Sequence, residues 1–177
     1  RLLPDADIRV AALGFSRGAA LAVNFANVIA DKGVRHPEHN DIIEARPEIR
    51  FLGLWDLVAS FGIPIDIGLH FNRINLGYKF SLPKSVKYCF HALALDERRQ
   101  AFRPTRITGA HEVWFRGVHS DIGGGNNNSG LNNIALKWML SKARAAGLPI
   151  APEAITALEA AINPAAAVSD NFDIIEN

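Results

Sequence analysis

The sequence predicts an α/β fold with a mostly parallel sheet flanked by helices. Three observations carry that prediction. An apolar run from Ile8 to Leu13 passes through a serine bracketed by glycines into a long helix-forming stretch. A second apolar run, "IRFLGLWD", has the length and two-sided hydrophobicity of a strand buried within a sheet. Further on, a short strand pattern is followed by an amphipathic helical pattern, so strands and helices alternate as in βα architectures. There is no internal repeat.

The 177 residues are 49% hydrophobic, enough for one domain with a sizeable core, so residues 1–177 read as a single domain. A formal net charge of +1 excludes a dedicated nucleic-acid binder, which would carry a basic excess. The one cysteine, Cys89, excludes an internal disulfide framework and a cysteine-rich zinc site, and it reads as a small core residue. No apolar stretch reaches membrane-spanning length, and no secretory signal is visible. The sequence opens at Arg1 without a methionine, and it is expected to be a piece of a longer protein.

The first strand, Ile8 to Leu13, leads into "LGFSRGAA" at residues 13–20. Gly14, Ser16 and Gly18 match G-x-S-x-G, a pattern that turns a buried strand sharply into a helix and leaves the serine exposed at the bend. The bend strains the backbone, and a side chain on Gly14 or Gly18 is expected to clash where the chain passes close to itself. Helix formers from Ala19 to Ile29 follow and stop before Gly33. A bland alternative is a serine that only caps this helix.

The polar connection "DKGVRHPEHNDIIEARPE" comes next. Its His36 and His39 have the spacing of a metal pair, but Pro37 between them favours a solvated loop, and no metal site is expected. The strand "IRFLGLWD" then ends in Asp56. Alternating apolar residues from Phe61 to Phe71 read as an insertion over the site, or else a strand. "VKYCFHALALDERR" is ambiguous between strand and helix, and Glu112 to Val118 is a short strand ending at His119 and a glycine run. A helix is predicted from Leu131 to Ala146 and a shorter one after Pro152.

A serine hydroxyl is a weak nucleophile at neutral pH, so Ser16 needs a base within hydrogen-bond reach and a carboxylate to orient that base. His119 fits, because it follows a strand and precedes a flexible turn, whereas His70, His91 and His111 have no comparable position. Asp56 is the favoured acid, at the C-terminal end of a parallel strand, with Asp96 as the alternative. Asp121 lies close to His119 along the chain and, with Ser120, reads as organising the turn through local hydrogen bonds. Negative charge building on the substrate oxygen would be met by the backbone N–H of Arg17, the residue after the nucleophile. A second donor would come from a loop after an earlier strand, which this sequence lacks. An N-terminal segment or separate chain is therefore expected to complete the sheet.

Four ordered blocks, "LGFSRGAALAVNFAN", "FLGLWDLVASFG", "FHALALDERRQAFRPT" and "EVWFRGVHSDIGGGNNNSGLNNIALKWML", resemble the α/β-hydrolase family that includes the first family of type VI secretion lipase effectors and many bacterial and fungal proteins. The resemblance runs from about Ile8 to Leu148 and implies an α/β-hydrolase-like sheet lacking its N-terminal strands. It also implies Ser16, Asp56 and His119 as the triad. The implied activity is cofactor-free hydrolysis of carboxylic esters, with lipid or phospholipid substrates and peripheral membrane contact. A secretion effector would be made in the cytoplasm and delivered to another cell's periplasm. Where family members carry an aromatic residue after the glycine run, this sequence has "NNNSG".

Two roles stay open from sequence. Arg98, Arg99, Arg103 and Arg106 could bind a phosphate-bearing head group, but the adjacent Asp96 and Glu97 favour a solvated or internally paired face. The run Gly123 to Gly130 reads as a flexible loop rather than a lid hinge. The competing function is an interaction module, a hydrolase-derived piece without turnover of its own. The same triad with water excluded would instead transfer the acyl group to an alcohol.

Overall fold

A computed structural model describes residues 8–59 and 80–169. The apolar alternation from Phe61 to Phe71, and His70 within it, lie outside the described residues. In chain order the elements are β1 (Arg9–Phe15), α1 (Arg17–Lys32), β2 (Val34–Arg35), β3 (Ile42–Glu44), β4 (Glu48–Trp55), β5 (Cys89–Ala94), a 3₁₀ turn (Gln100–Phe102), β6 (His111–Phe115), α2 (His119–Gly123), α3 (Ser129–Ala145) and α4 (Pro152–Glu159).

Four strands form one parallel sheet in the order β1-β4-β5-β6. β4 is sandwiched between β1 and β5 and is buried on both faces, which explains its continuous hydrophobicity. Its Ile49, Leu52 and Leu54 join Ala19, Ala20, Val23 and Ala26 of α1 in one core. Phe51 joins Ala92, Ile122, Ala135 and Met139 in the second core, on the α3 side. Small residues let the layers approach. A Cβ on Gly53 would lie 2.5 Å from the side chain of Leu13 and 2.9 Å from that of Phe51.

Several sequence expectations change. "VKYCFHALALDERR" is resolved as a strand, β5. The polar connection after α1 contains a small antiparallel pair, β2 with β3, because its turn from His36 to Asp41 is closed by two backbone hydrogen bonds and Asn40 adopts a positive φ. β1 is apolar enough for a buried strand, yet among the described residues it pairs only with β4 and Leu13 is half exposed. Leu21, Phe25 and Val28, spaced along one face of α1, are also exposed.

α1 begins at Arg17 and ends at Lys32, with Gly33 at φ 70° just beyond. α3 runs from Ser129 to Ala145, with Lys142 and Arg144 in its last turn, where cations complement the helix dipole. α4 opens with Pro152, as a proline with no N–H to satisfy allows. No described helix is long and apolar enough to cross a membrane.

Candidate active site

The site forms where the C-terminal ends of the parallel strands meet the following turns. Ser16 sits between β1 and α1 with φ 57° and ψ −123°, a region that non-glycine residues rarely occupy. Its hydroxyl makes no capping bond to α1, which removes the helix-cap alternative. Its backbone is held on both sides of Asp56: Ser16 N donates to Trp55 O at 2.9 Å, and Val58 N donates to Ser16 O at 3.4 Å. The bend requires Gly14, since a Cβ there would run into the backbone of Gly18, with Ala19 N at 2.7 Å. Gly18 differs from expectation. A Cβ on it would meet nothing within 4 Å, because the close approach uses its carbonyl and leaves its Cα side open. Arg17 is the first residue of α1, so its N–H is one of the donors a helix start leaves without an intrahelical partner.

Asp56 follows β4 at φ 40° and is completely buried. Its N–H donates to Ala92 O at 2.7 Å, and its Oδ1 accepts from Ala94 N at 2.9 Å, both on β5. Its Oδ2 is left facing His119 Nδ1 at 2.7 Å. His119 is 5% exposed, and its imidazole is packed by two rings, Phe15 at 4.5 Å between centroids and Phe102 at 5.0 Å. The structure thus brings His119 and Asp56 into direct contact. Phe15, which precedes Ser16, lies against the same imidazole.

Asp96, the alternative acid, is turned elsewhere. Its Oδ2 accepts from Gly117 N at 2.7 Å, closing the turn after β6. His119 is the first residue of a short helix rather than part of a loose turn. Asp121 organises that helix start, as its local position suggested: its Oδ2 accepts from Val118 N at 3.1 Å. The same carboxylate accepts from the amides of Asn126 and Asn128 and from Ser169 N and Oγ. The asparagine run is therefore tied down, which corrects the reading of it as a flexible loop. Burial opposes the charge on Asp121, but bonds from Ser169, Val118 and Asn126 outweigh it and hold its pKa below the ordinary value.

The segment after β5 contributes more than the sequence revealed. Glu97 Oε2 accepts from His119 N at 3.2 Å, and its carboxylate is gripped by Arg99 through two bonds of 2.9 and 2.7 Å. Burial opposes that charge too, but the Arg99 side chain, Arg99 N and His119 N hold the carboxyl below its usual range. The Arg99 guanidinium lies 3.9 Å from the centre of the Phe102 ring, the ring that packs on His119. Arg99 and Arg106 are paired internally, with Glu97 and Glu112. The only legible signal was a carboxylate and arginines directly after an apolar strand.

Next to Phe15 is a mostly apolar cavity of about 310 Å³, lined by Leu13, Phe15, Trp55 and Leu136 and floored by Gly123 and Gly124. Gly123 allows this packing, since a Cβ there would overlap the Phe15 ring. Cys89 is buried and its thiol is pushed up to about 12, mainly by burial and then by Glu112, so it is an inert core residue. At the tip of the β2–β3 hairpin, His36, Glu38 and His39 bring ligand-type atoms within 4.8 Å of one another; Glu38 was not part of the histidine pair read from sequence.

A parallel sheet with a strained serine between strand and helix, and a buried His–Asp contact beside it, defines an α/β-hydrolase-like protein. More narrowly, the chain belongs to the family of type VI secretion phospholipase effectors described as the Tle1-like catalytic domain, whose model matches residues 35–142. An uncharacterised protein from Pseudomonas aeruginosa, solved by crystallography, is 27% identical with a TM-score of 0.62, over 91% of this chain and 27% of that one. The Tle1 effector bound to the VgrG spike of a type VI secretion system is 35% identical with a TM-score of 0.53, over 71% of this chain and 26% of that one. An uncharacterised protein of Saccharomyces cerevisiae is 30% identical over 77 residues, 41% of this chain and 11% of that protein. The chain therefore spans about a quarter of the solved relatives and about a tenth of the yeast protein.

Proposed function

We propose that this chain carries the reacting groups of a serine esterase that cleaves carboxylic esters of lipids, phospholipids foremost, within one catalytic domain. The observation that carries the reading is the 2.7 Å contact between buried Asp56 and His119, made beside the strained Ser16 turn. In this mechanism Ser16 Oγ attacks the acyl carbon as His119 Nε2 takes its proton. The imidazolium then returns that proton to the leaving alcohol. Asp56 holds the Nδ1–H tautomer and stabilises the cation. Arg17 N–H receives the oxyanion at the positive end of α1. Water then attacks the acyl-enzyme by the same proton route in reverse, so no cofactor takes part.

Family membership supports the phospholipid assignment, and the apolar cavity beside Phe15 gives an acyl chain somewhere to lie. Such a substrate is met at a bilayer surface, which makes peripheral membrane contact part of the reading. The VgrG-bound relative supports a secreted effector acting in another cell's periplasm. The test is release of fatty acid from phosphatidylglycerol vesicles by wild type and by Ser16→Ala. Turnover retained in the folded variant would sink the mechanism.

A second reading is favoured by β1, which among the described residues pairs with β4 alone in the sheet, and by the exposed Leu21, Phe25 and Val28. In that reading the chain turns over only when another polypeptide segment or chain adds a strand there and brings the second oxyanion donor. Vesicle hydrolysis by the isolated chain would exclude it.

A further inference from the structure

His91 is read from sequence as a histidine without a catalytic position, and the mechanism above does not use it. It lies in the middle of β5 with its side chain fully buried. Its neighbour across the β5–β6 ladder is Glu112, and His91 Nδ1 is 3.2 Å from Glu112 Oε1. Glu112 is fixed in turn, accepting from Ile107 N at 2.8 Å and from the Arg106 guanidinium. A carboxylate held by two donors is an acceptor, so Nδ1 carries the imidazole proton and Nε2 is left as a bare acceptor. Leu57 N donates to that Nε2 at 3.1 Å.

Leu57 is the residue after Asp56. β4 ends at Trp55 and Asp56 takes a positive φ, so the chain leaves the sheet at this point and Leu57 N can no longer follow the ladder. A non-glycine residue in that conformation persists only where its surroundings over-determine it. Three bonds do so: Asp56 N to Ala92 O, Ala94 N to Asp56 Oδ1, and Leu57 N to His91 Nε2. The first two use the backbone of β5, as acceptor and as donor, and do not involve His91. The third depends on one side chain.

We propose that His91, oriented by Glu112, is a positioning residue that holds the backbone after Asp56 and so aims Oδ2 at His119. The proposal rests on the reading of Asp56 as the acid. A protonated His91 would set an N–H against Leu57 N–H. The charged groups facing it are Glu112 on β6, Arg106 before β6 and Asp56 after β4.

Replacing His91 with Leu removes the acceptor, whereas His91→Gln offers Oε1 close to where Nε2 stood. The first readout is the low-field proton resonance of His119 Nδ1–H, which reports the Asp56 contact whether or not Ser16 is a nucleophile. The second is the rate of Ser16 modification by a fluorophosphonate.

Folded His91→Leu is expected to shift or lose the resonance and to slow modification by roughly ten- to a hundredfold, the scale of a small misplacement of a reacting group. His91→Gln should recover most of both. An unchanged resonance and rate in folded His91→Leu would overturn the proposal. So would a His91→Gln as impaired as His91→Leu. A wild type that shows the resonance but never reacts at Ser16 would overturn the esterase reading instead, and the resonance in the two variants would still decide the role of His91.

Discussion

The atoms of the proposed triad sit on residues whose neighbours leave them little choice of position. Gly14 and Gly18 look equivalent in the motif, yet only Gly14 has the backbone of α1 against it. Gly14→Ala should cost about 1–3 kcal/mol as an overpacked site, and Gly18→Ala should be close to neutral; chemical denaturation of both variants checks the contrast. Gly123→Ala should push the Phe15 ring off His119. Its esterase activity should fall more than its unfolding midpoint, read from vesicle hydrolysis and thermal melts. The strained turn at Ser16 and the strand-end position of Asp56 were legible because a nucleophile-type turn and strand-end carboxylates leave marks in a linear pattern. Glu97, Phe102 and His91 were not legible. Their roles depend on which atoms of a neighbouring strand or turn they meet, and spacing along one chain does not encode that.

At the scale of elements, the turns after the strands are held by carboxylates kept charged. Glu97, Glu112 and Asp121 all have pKa values below their ordinary range, because donors outweigh burial. The unfolded chain therefore takes up protons first as pH falls. Their contribution is complete above the unfolded values of about 4 and is lost as pH drops through the lower folded values. Burial lowers the pKa of His91, against the pull of Glu112. Its contribution is complete above an unfolded value of about 6.5 and is lost as pH falls below that. Thermal melts should show stability declining from near neutral pH and then more steeply in acid. Asp121→Asn should flatten the acid stage and loosen Ser169. The helices and the central strand could be read from hydrophobic period and terminal residues, because those depend on local geometry. The β2–β3 pair could not, since a polar turn looks like any polar loop until its hydrogen bonds close.

For the whole molecule, the fold class followed from alternating elements, and the parallel order needs crossover connections that return each strand to the same direction, of which α1 between β1 and β4 is the helical one among the described residues. The edge of β1 and the exposed face of α1 belong to this scale as well. Among the described residues β1 lies at the edge of the sheet with Leu13 half exposed, and an apolar edge strand is a template for association. The isolated chain should therefore self-associate at high concentration, and Leu13→Lys should reduce the effect in light scattering. The central claim is that Ser16 is an activated nucleophile served by His119 and Asp56, and the most direct measurement is intact mass after exposure to a fluorophosphonate, with peptide mapping. The account predicts one adduct per chain, on Ser16, absent from Ser16→Ala and much slower in His119→Ala. A folded protein that stays unmodified, or an adduct on another residue, would contradict it.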